Sequence, residues 1–498
     1  MMKTSKCKVL KSTFPDKTDW NAINWHKTGK YVDKLQKRIY HAESIENSRK
    51  VRNSQRILTN SNGVLLLAIK RVTQINKGRK TPGIDGFRAI SNKKCAELFD
   101  TMKNQNIKLH NPKPAYRMYI RKRNGKLRSL GILVIIDRIY QEIIRMALEP
   151  QSEVNFEPTS YGFRPKRGCH DAARRIMFNI RSGKWCWVFE GDFKSCFDTI
   201  SHEFILNKIK SFPLHNLIDK FLKAGYVDNN IFHSTDKGTP QGGSLSPLLA
   251  NIALNGMEKL LGISYKEYTN KNGYVNYETK GNYRMVRYAD DFVIFAKSEE
   301  DIKALYDILN PYLEKRGLML AEDKTKITHI SEGFDFLGFN FKQYKAKNGI
   351  IHLNKPSKAS IKQFKSKVAE KFRLLRGQNV DELIKSLNQI ITGTANYWKP
   401  TVAKKIFSKM DCYLWTKISK FIRRLHPNKS WKWLMNKYFP FYNDGKHHGK
   451  WVLTGPRENE YLKQMSWTPI KRHIMIKHNY SLYDKSKIEY FNNRKFSC

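Results

Sequence analysis

Two adjacent carboxylates, Asp290 and Asp291, lie in an otherwise apolar, β-prone segment and constrain the fold more than any other feature. The segment 287–296 reads Arg-Tyr-Ala-Asp-Asp-Phe-Val-Ile-Phe-Ala. Repulsion between neighbouring carboxylates beside a low-dielectric core is costly unless a counter-charge lies between them. A divalent cation supplies that charge, and Mg²⁺ prefers a few carboxylates together with substrate phosphates. A metal-free β-hairpin with an aspartate-rich turn is the alternative, and the pair alone does not decide between them.

A third carboxylate, Asp192, follows another strand-like segment. The apolar run 186–191 precedes it, and Phe197 lies shortly after it. Phosphoryl transfer with two metal ions requires carboxylates from separate strands that hold the ions about 3.5–4 Å apart. Asp192 together with the adjacent pair fits this requirement. A solvated aspartate at the end of a strand remains the alternative.

An ordered series of sequence blocks resembles the group II intron reverse transcriptases. One block is Tyr288-Ala289-Asp290-Asp291, and another is the run 239–251, Thr-Pro-Gln-Gly-Gly-Ser-Leu-Ser-Pro-Leu-Leu-Ala-Asn. The other blocks that carry the resemblance lie at 130–141, 160–172, 320–325, 336–339 and 393–398. Several blocks in a fixed order along one chain make this resemblance specific.

The resemblance implies an α+β right-hand polymerase, with fingers and palm, an α-helical thumb or maturase domain and a small basic C-terminal segment. We expect a helical N-terminal extension in 1–90, fingers and palm in 91–345, the RNA-binding thumb/maturase domain in 346–445 and a DNA-binding-like segment in 446–498, without an endonuclease domain. Apolar residues at helical spacing, beginning with Trp25, Val32, Leu35 and Ile39, independently predict helices within 20–80.

The resemblance also implies roles for individual residues. Asp192, Asp290 and Asp291 are the expected catalytic residues, which hold two Mg²⁺ ions together with the backbone carbonyl of Phe193. The expected contacts to the incoming nucleotide are Lys122, Arg128, Phe197, Gln241, Tyr288, Ala289 and Lys324.

Two of these substrate contacts have plain structural alternatives. Lys122 and Arg128 lie on a basic β-hairpin predicted over 115–131, where Asn124-Gly125 turns the chain. Such a hairpin either neutralises a triphosphate or contacts the template backbone as a solvated loop. Phe197 either lies under the sugar and selects deoxynucleotides, as the resemblance implies, or is an ordinary core residue.

The composition indicates a polyanionic partner. Lys and Arg number 92 against 44 Asp and Glu, which gives a formal net charge of +48. Self-repulsion of that size opposes compaction, and aromatic residues at 12% supply faces on which bases stack. A membrane surface is the competing partner, but the longest apolar stretch, 63–69, is far too short to span a bilayer.

Basic residues are concentrated in the C-terminal third, where they interleave with tryptophans that we mostly expect in the core. The predicted nucleic-acid contacts are Arg164, Lys399, Lys404, Lys405, Arg423, Arg424, Lys429 and Lys432. Basic side chains among aromatic ones are typical of proteins that bind structured RNA.

The expected partners are group II intron RNA, an RNA template, a DNA primer or target and dNTPs, with no membrane and an open oligomeric state. The 7 cysteines include no Cys-x-x-Cys pair, which argues against a zinc ribbon or a disulfide framework. Because the N-terminus lacks an apolar signal core, we expect the protein to act where it is made. That site is an organelle if the gene is organellar, and the bacterial cytoplasm otherwise.

The predicted function is RNA-directed DNA polymerisation by a group II intron-encoded protein that also assists splicing and mobility. A splicing-only maturase is one alternative, although it predicts damaged catalytic carboxylates and all three are present. A free-standing reverse transcriptase with a role in host defence or repair is the other, and only the surroundings of the gene distinguish it.

Overall fold

The fold is a mixture of helices and sheets, seen in a computed structural model that describes residues 18–121, 125, 127–271, 273, 275–456 and 460–497. The helices are α1 Trp25–Ser44, α2 Ser48–Thr59, α3 Asn62–Lys70, α4 Asn92–Met102, α5 Ile135–Asn155, α6 Cys169–Ile180, α7 Cys196–Thr199, α8 His202–Lys208, α9 His215–Lys223, α10 Ser246–Leu254, α11 Met257–Leu260, α12 Glu299–Lys303, α13 Leu305–Glu314, α14 Lys358–Leu374, α15 Val380–Trp398, α16 Lys404–Leu425, α17 Trp431–Tyr438 and α18 Ile488–Ser497.

The strands form one central sheet and several smaller ones. They are β1 Ala115–Arg121, β2 Leu127–Ile132, β3 Trp187–Gly191, β4 Tyr226–Asp228, β5 Ile231–His233, β6 Ser264–Thr269, β7 Val275–Lys280, β8 Arg284–Tyr288, β9 Asp291–Ala296, β10 Lys326–His329, β11 Phe334–Phe336, β12 Phe339–Ala346, β13 Gly349–Pro356, β14 Tyr442–Asn443 and β15 His448–Gly449. The central sheet has the antiparallel order β10-β3-β9-β8.

Helices α1 to α3 follow the periodicity seen in the sequence, and the prediction of helices within 20–80 is confirmed. In α1, Val32, Leu35 and Ile39 are buried on one face, which packs against α5. The Asn24 side chain accepts a hydrogen bond from the Lys27 amide and caps the first turn of the helix. This N-terminal bundle therefore rests on the long helix that follows the β1–β2 hairpin.

The predicted basic hairpin is also confirmed, as β1 pairs with β2 in antiparallel register from Tyr116↔Ile132 to Arg121↔Leu127. Strand β4 adds to β1 in parallel and β5 follows it, so the sheet has the order β2-β1-β4-β5.

The central sheet separates two hydrophobic cores, because successive side chains of a strand point to opposite faces. Phe189 and Ile294 lie in the core shared with the N-terminal helices, whereas Val188, Val293 and Phe295 lie in the core shared with the C-terminal helices. All five side chains are fully buried. Strands β3 and β9 are therefore rigid in the middle of the molecule, and the residues at their ends are held in fixed positions.

The C-terminal part consists of the sheet β11-β12-β13, the helices α14 to α17 and an extended tail that contacts α6 and ends in α18. Trp398 at the end of α15 is buried in the second core. Within the described part of the chain, no helix is both long enough and apolar enough to pass through a bilayer.

Candidate active site and nucleic-acid surface

Three carboxylates meet where the two central strands reach one edge of the sheet. Gly191 at the end of β3 pairs with Phe292 of β9. The residue after Gly191 is Asp192, which therefore comes opposite Asp291 at the start of β9. Asp290 lies in the tight turn between β8 and β9, where Tyr288 pairs with Asp291. The structure therefore brings Asp192 together with an adjacent pair of aspartates that lies about a hundred positions later in the sequence.

These carboxylates repel one another, as their pKa values show. The pKa of Asp290 is raised by burial and further by the charge of Asp192. The pKa of Asp291 is raised to about 6, first by desolvation of the carboxylate and then by the charges of Asp290 and Asp192, although the residue as a whole is exposed. Each shift reflects a desolvated anion that lacks sufficient positive charge nearby.

Lys324 supplies part of the missing positive charge. Its Nζ atom donates a hydrogen bond of 2.8 Å to Oδ2 of Asp192, which also raises the pKa of the lysine. Lys324 follows the short segment in which the Ala321 amide donates to the Asp192 carbonyl. The predicted nucleotide contact is therefore placed directly beside the carboxylate cluster.

The oxygen atoms of the carboxylate cluster are candidate ligands for Mg²⁺. Among the described residues, no three His, Cys, Asp or Glu side chains are arranged so that they could hold a metal ion. In this conformation Asp192 is instead paired with Lys324. The donor set nevertheless fits Mg²⁺, because it consists of oxygen ligands whose mutual repulsion a divalent cation would relieve. The Asp192 carbonyl and the Lys194 amide form hydrogen bonds to the segment around Leu320. The Phe193 carbonyl takes no part in these two bonds.

A buried network that the sequence analysis missed fixes the turn that carries Asp290. Ala289 has a left-handed backbone with φ of 59°, which is strained for a residue with a side chain. Arg287, which is 0% exposed, donates from Nη1 to the Ala289 carbonyl at 3.2 Å and to Oδ1 of Asn251 at 3.0 Å. Asn251 in turn donates from Nδ2 to the Gly162 carbonyl at 2.9 Å.

Gly162 lies directly against this turn. A Cβ atom built on it would stand 2.2 Å from the Ala289 amide nitrogen, so only glycine fits the position. Gly162 and Asn251 lie inside sequence blocks that carry the resemblance, and Arg287 directly precedes another such block, so the blocks themselves were the signal in the sequence that pointed to these residues. Their roles depend on contacts between those blocks, and no single block contains such contacts.

Two of the predicted nucleotide contacts, Arg128 and Gln241, touch each other. The Arg128 Nε atom donates to Gln241 Oε1 at 2.9 Å, and the Gly131 amide donates to the Gln241 carbonyl at 2.7 Å. The loop that contains Gln241, Gly242 and Gly243 is thus attached to β2. The positive charge of Arg128 lowers the pKa of Asp290, so the exposed guanidinium acts on the carboxylate cluster. Lys122, predicted with Arg128, lies outside the described residues.

The remaining predicted substrate residues lie around the same turn. Phe197 is 7% exposed, packs edge-on against the Phe163 ring at 6.5 Å and accepts a hydrogen bond at its carbonyl from the Thr239 amide. Tyr288 is half-buried, and Ala289 is buried within the turn. Phe197 therefore packs as a core residue beside the turn.

The prediction that Arg164 contacts nucleic acid is wrong, because its guanidinium is used inside the protein. The side chain is 1% exposed and forms a bidentate salt bridge with Glu153. Its Nε atom lies 2.9 Å from Oε1 and its Nη2 atom lies 3.0 Å from Oε2. Nη1 also donates to the carbonyls of Glu157 and Ser160. Each nitrogen of the buried guanidinium therefore already donates inside the protein, so Arg164 stabilises the fold.

The predicted nucleic-acid residues of the C-terminal helices lie at the surface. Lys404, Lys405, Arg423, Arg424, Lys429 and Lys432 are exposed, and Lys399 is half-buried. Some of these cations rest on tryptophan rings, since Arg423 lies 4.8 Å from the Trp431 centroid and Lys429 lies 5.5 Å from that of Trp433. Lys404 donates to the Ser466 carbonyl and so holds the tail against α16.

Family models match three successive regions of the chain. Residues 20–102 match the N-terminal domain of reverse transcriptase, 120–341 match reverse transcriptase (RNA-dependent DNA polymerase), and 361–439 match the maturase-specific domain of group II introns. The carboxylate cluster thus lies within the region that matches reverse transcriptase.

Relatives of known name include a group II intron-encoded protein. Protein YkfC of Escherichia coli is 33% identical over 345 residues, which cover 64% of this chain and 90% of that protein. The group II intron-encoded protein LtrA of Lactococcus lactis is 34% identical over 360 residues, which cover 58% of this chain and 59% of LtrA. The chain belongs to the group II intron reverse transcriptase and maturase family, which confirms the resemblance.

The match to LtrA spans less than two thirds of that protein's length. Among solved structures, telomerase from Candida albicans aligns with a TM-score of 0.37 and 13% identity over 66% of this chain and 61% of that chain. That likeness is too weak to define a shared fold.

Proposed function

We propose that this protein is an RNA-directed DNA polymerase encoded by a group II intron, and that it also binds the intron RNA to assist splicing and mobility. The observation that carries the proposal is the meeting of Asp192 with Asp290 and Asp291 at the ends of two buried central strands. The catalytic roles assigned to these residues are part of the proposal.

The proposed reaction joins the 3′-oxygen of a DNA primer to the α-phosphorus of a dNTP and releases pyrophosphate. Asp192, Asp290, Asp291 and the Phe193 carbonyl would hold two Mg²⁺ ions, which supply activation of the hydroxyl and charge neutralisation at the leaving group. The rigid ends of β3 and β9 fix the carboxylates before substrate binds, and such preorganised positioning accounts for most catalysis of this type.

Basic side chains around the carboxylates would bind the triphosphate. Lys324 would move its ammonium from Asp192 to the phosphates when an ion occupies the cluster. Arg128 and Gln241 are joined by a hydrogen bond and would face the nucleotide from the opposite side. Lys122 would contribute from the same hairpin, and Tyr288, Ala289 and Phe197 would line the sugar and base.

The division of the chain is also a proposal. We place an N-terminal extension in 1–90, fingers and palm in 91–345, a thumb-like maturase domain in 346–445 and a basic DNA-binding-like segment in 446–498. The exposed cations of α16 and α17 would neutralise phosphates of the folded intron, with the RNA template, DNA primer or target and dNTPs as further partners. The site of action would be that of synthesis, in a bacterium or an organelle.

Primer extension by the full chain on an RNA template with Mg²⁺ and dNTPs tests the proposal. The wild type should extend a DNA primer, and Asp290→Asn with Asp291→Asn should abolish extension while RNA binding stays nearly intact. Asp307→Asn with Glu314→Gln is the matched control, because both carboxylates are exposed on α13 and the change in charge is the same. Extension by the Asp290/Asp291 variant would refute the assignment of these residues.

A splicing-only role and a free-standing role in the host remain the alternatives. RNA binding and splicing assistance without any extension by the wild type would favour the first of them. Extension without selective binding to the RNA that surrounds the gene would favour the second.

A further inference from the structure

A cavity with an unusually basic lining lies between the reverse transcriptase region, the maturase-specific region and the tail. It has a volume of about 260 Å³ and is separate from the carboxylate cluster. Helix α6 contributes His170 and Arg174, the loop after α15 contributes Thr401, and the tail contributes Arg472 and His473. Three parts of the chain that are distant in sequence therefore meet at one site.

The lining holds positive charge that no acidic group balances. None of the residues that line the cavity is an aspartate or a glutamate. In the described part of the chain, Arg174 and Arg472 form neither an ion pair nor a side-chain hydrogen bond. The charges of Arg472 and Arg181 add to burial in lowering the pKa of Arg174, so this guanidinium lies in a positively charged environment.

Asp171, which lies on α6 beside His170, is already engaged by the tail. Its oxygens accept hydrogen bonds from the amides of Gly168 and Ile476, from His473 at 3.0 Å and from Arg494 at 2.6 Å. These contacts attach the tail to α6 and set the edge of the cavity. Asp171 therefore positions the tail and leaves the two arginines without a partner.

The floor of the cavity is fixed by aromatic packing. The His170 ring stands 5.1 Å from the Tyr397 ring and 6.0 Å from the Phe339 ring, and its Nε2 atom bonds the Tyr397 carbonyl at 2.8 Å. Burial lowers the pKa of His170, which keeps this ring neutral. The cavity thus has a rigid, neutral floor beneath a cationic rim.

We propose that this cavity is an anion site that takes a backbone phosphate of bound nucleic acid, held by Arg174 and Arg472. Arginine is suited to this task because its planar guanidinium donates two parallel hydrogen bonds to phosphate oxygens. The inference deepens the proposed nucleic-acid function and rests on it for the identity of the polyanion. RNA and DNA share the phosphodiester group, so both are candidate sources.

Binding of labelled nucleic acid over 50–200 mM salt tests this site in the full chain. Fluorescence anisotropy would use three probes of equal length: an RNA–DNA hybrid, a DNA duplex and a single-stranded RNA. Each phosphate contact contributes about 0.7–0.9 to the slope of log affinity against log salt. Loss of this one phosphate contact in Arg174→Gln with Arg472→Gln should therefore reduce the slope by about 0.7–0.9 for the nucleic acid that reaches the cavity.

The matched control is Lys259→Gln with Lys315→Gln, which removes two exposed positive charges from α11 and the end of α13. The control should leave the slope close to that of the wild type. Arg472→Gln alone should give about half of the effect, and since this side chain is exposed, the single variant keeps the test valid if the double variant unfolds.

Slopes and affinities that match the control for all three probes would overturn the proposal. A selective change with one probe would support it and would identify the polyanion that enters the cavity. The readout is binding alone, so a wild type that fails to extend primers would contradict the proposed polymerase function and leave this result in place.

Discussion

Gly162→Ala should displace the turn that carries Asp290 while it leaves the rest of the protein folded. The added Cβ atom would lie 2.2 Å from the Ala289 amide nitrogen, 2.8 Å from the Tyr288 carbonyl carbon and 2.9 Å from the Ala289 Cα. Ordinary contacts begin at 3.4 Å, so the backbone must move by more than 1 Å. All three atoms belong to the main chain, and no side-chain rotation relieves the clash.

The size of the effect can be derived from this displacement. The turn carries Asp290, and a misplacement of about 1 Å in a catalytic group costs roughly 10²-fold in rate. Overpacking of a buried site costs about 1–3 kcal/mol in the free energy of unfolding. We therefore expect a single-turnover extension rate about 100-fold below that of the wild type, together with a modest loss of stability.

The assay is single-turnover primer extension on an RNA template, with urea unfolding and RNA anisotropy measured in parallel. Gly29→Ala is the matched control, because a Cβ atom there meets nothing within 4 Å and the residue lies in α1. The control should extend primers normally and be slightly more stable, as alanine favours a helix by about 1 kcal/mol over glycine. A folded Gly162→Ala protein that extends at the wild-type rate would show that the turn does not position the reacting groups.

Three further predictions concern groups outside this turn. Arg128→Ala should raise the KM for dNTP about tenfold in steady-state extension, because it removes a positive charge beside the carboxylate cluster; an unchanged KM would exclude the proposed contact between Arg128 and the nucleotide. His478 stacks 4.0 Å from Tyr277, and burial lowers its pKa to about 4, so the fold requires a neutral ring. Since the unfolded chain binds the proton first, stability should fall between about pH 6.5 and 4, by roughly 1–2 kcal/mol after allowance for solvent, and His478→Gln should flatten that dependence in urea titrations. Asp171→Asn should cost about 2–4 kcal/mol in urea unfolding, because it leaves Arg494 without its buried partner; a cost below about 0.5 kcal/mol would mean that the tail is not held there.

The local features of the site could be predicted because each depends on neighbours in the sequence. An apolar run that ends in Asp192 predicts a strand end, and β3 ends at Gly191. Alternating apolar residues around Asn124-Gly125 predict a hairpin, and β1 and β2 form it. The ordered blocks added the family, which the domain models support. Hydrophobic periodicity and turn chemistry are local signals, so a single sequence contains them.

Contacts between distant segments could not be predicted in the same way. Arg164 looks like any other arginine of a basic chain, and only its approach to Glu153 shows that it is structural. The attachment of the tail to Asp171 joins residues more than 300 positions apart. The resemblance predicts a DNA-binding-like tail, and it gives no sign that Arg494 and His473 of this tail pair with Asp171 inside the protein. Burial and pairing of charges are properties of the fold, and one sequence without an alignment does not encode them visibly.

A structure of the full chain with an RNA template, a DNA primer that lacks its 3′-hydroxyl, a dNTP and Mg²⁺ tests the central claim most directly. We predict metal density between the carboxylates of Asp192, Asp290 and Asp291, with Lys324 released from Asp192 toward the triphosphate. Metal and nucleotide bound elsewhere, with the hydrogen bond between Lys324 and Asp192 preserved, would contradict the proposed active site.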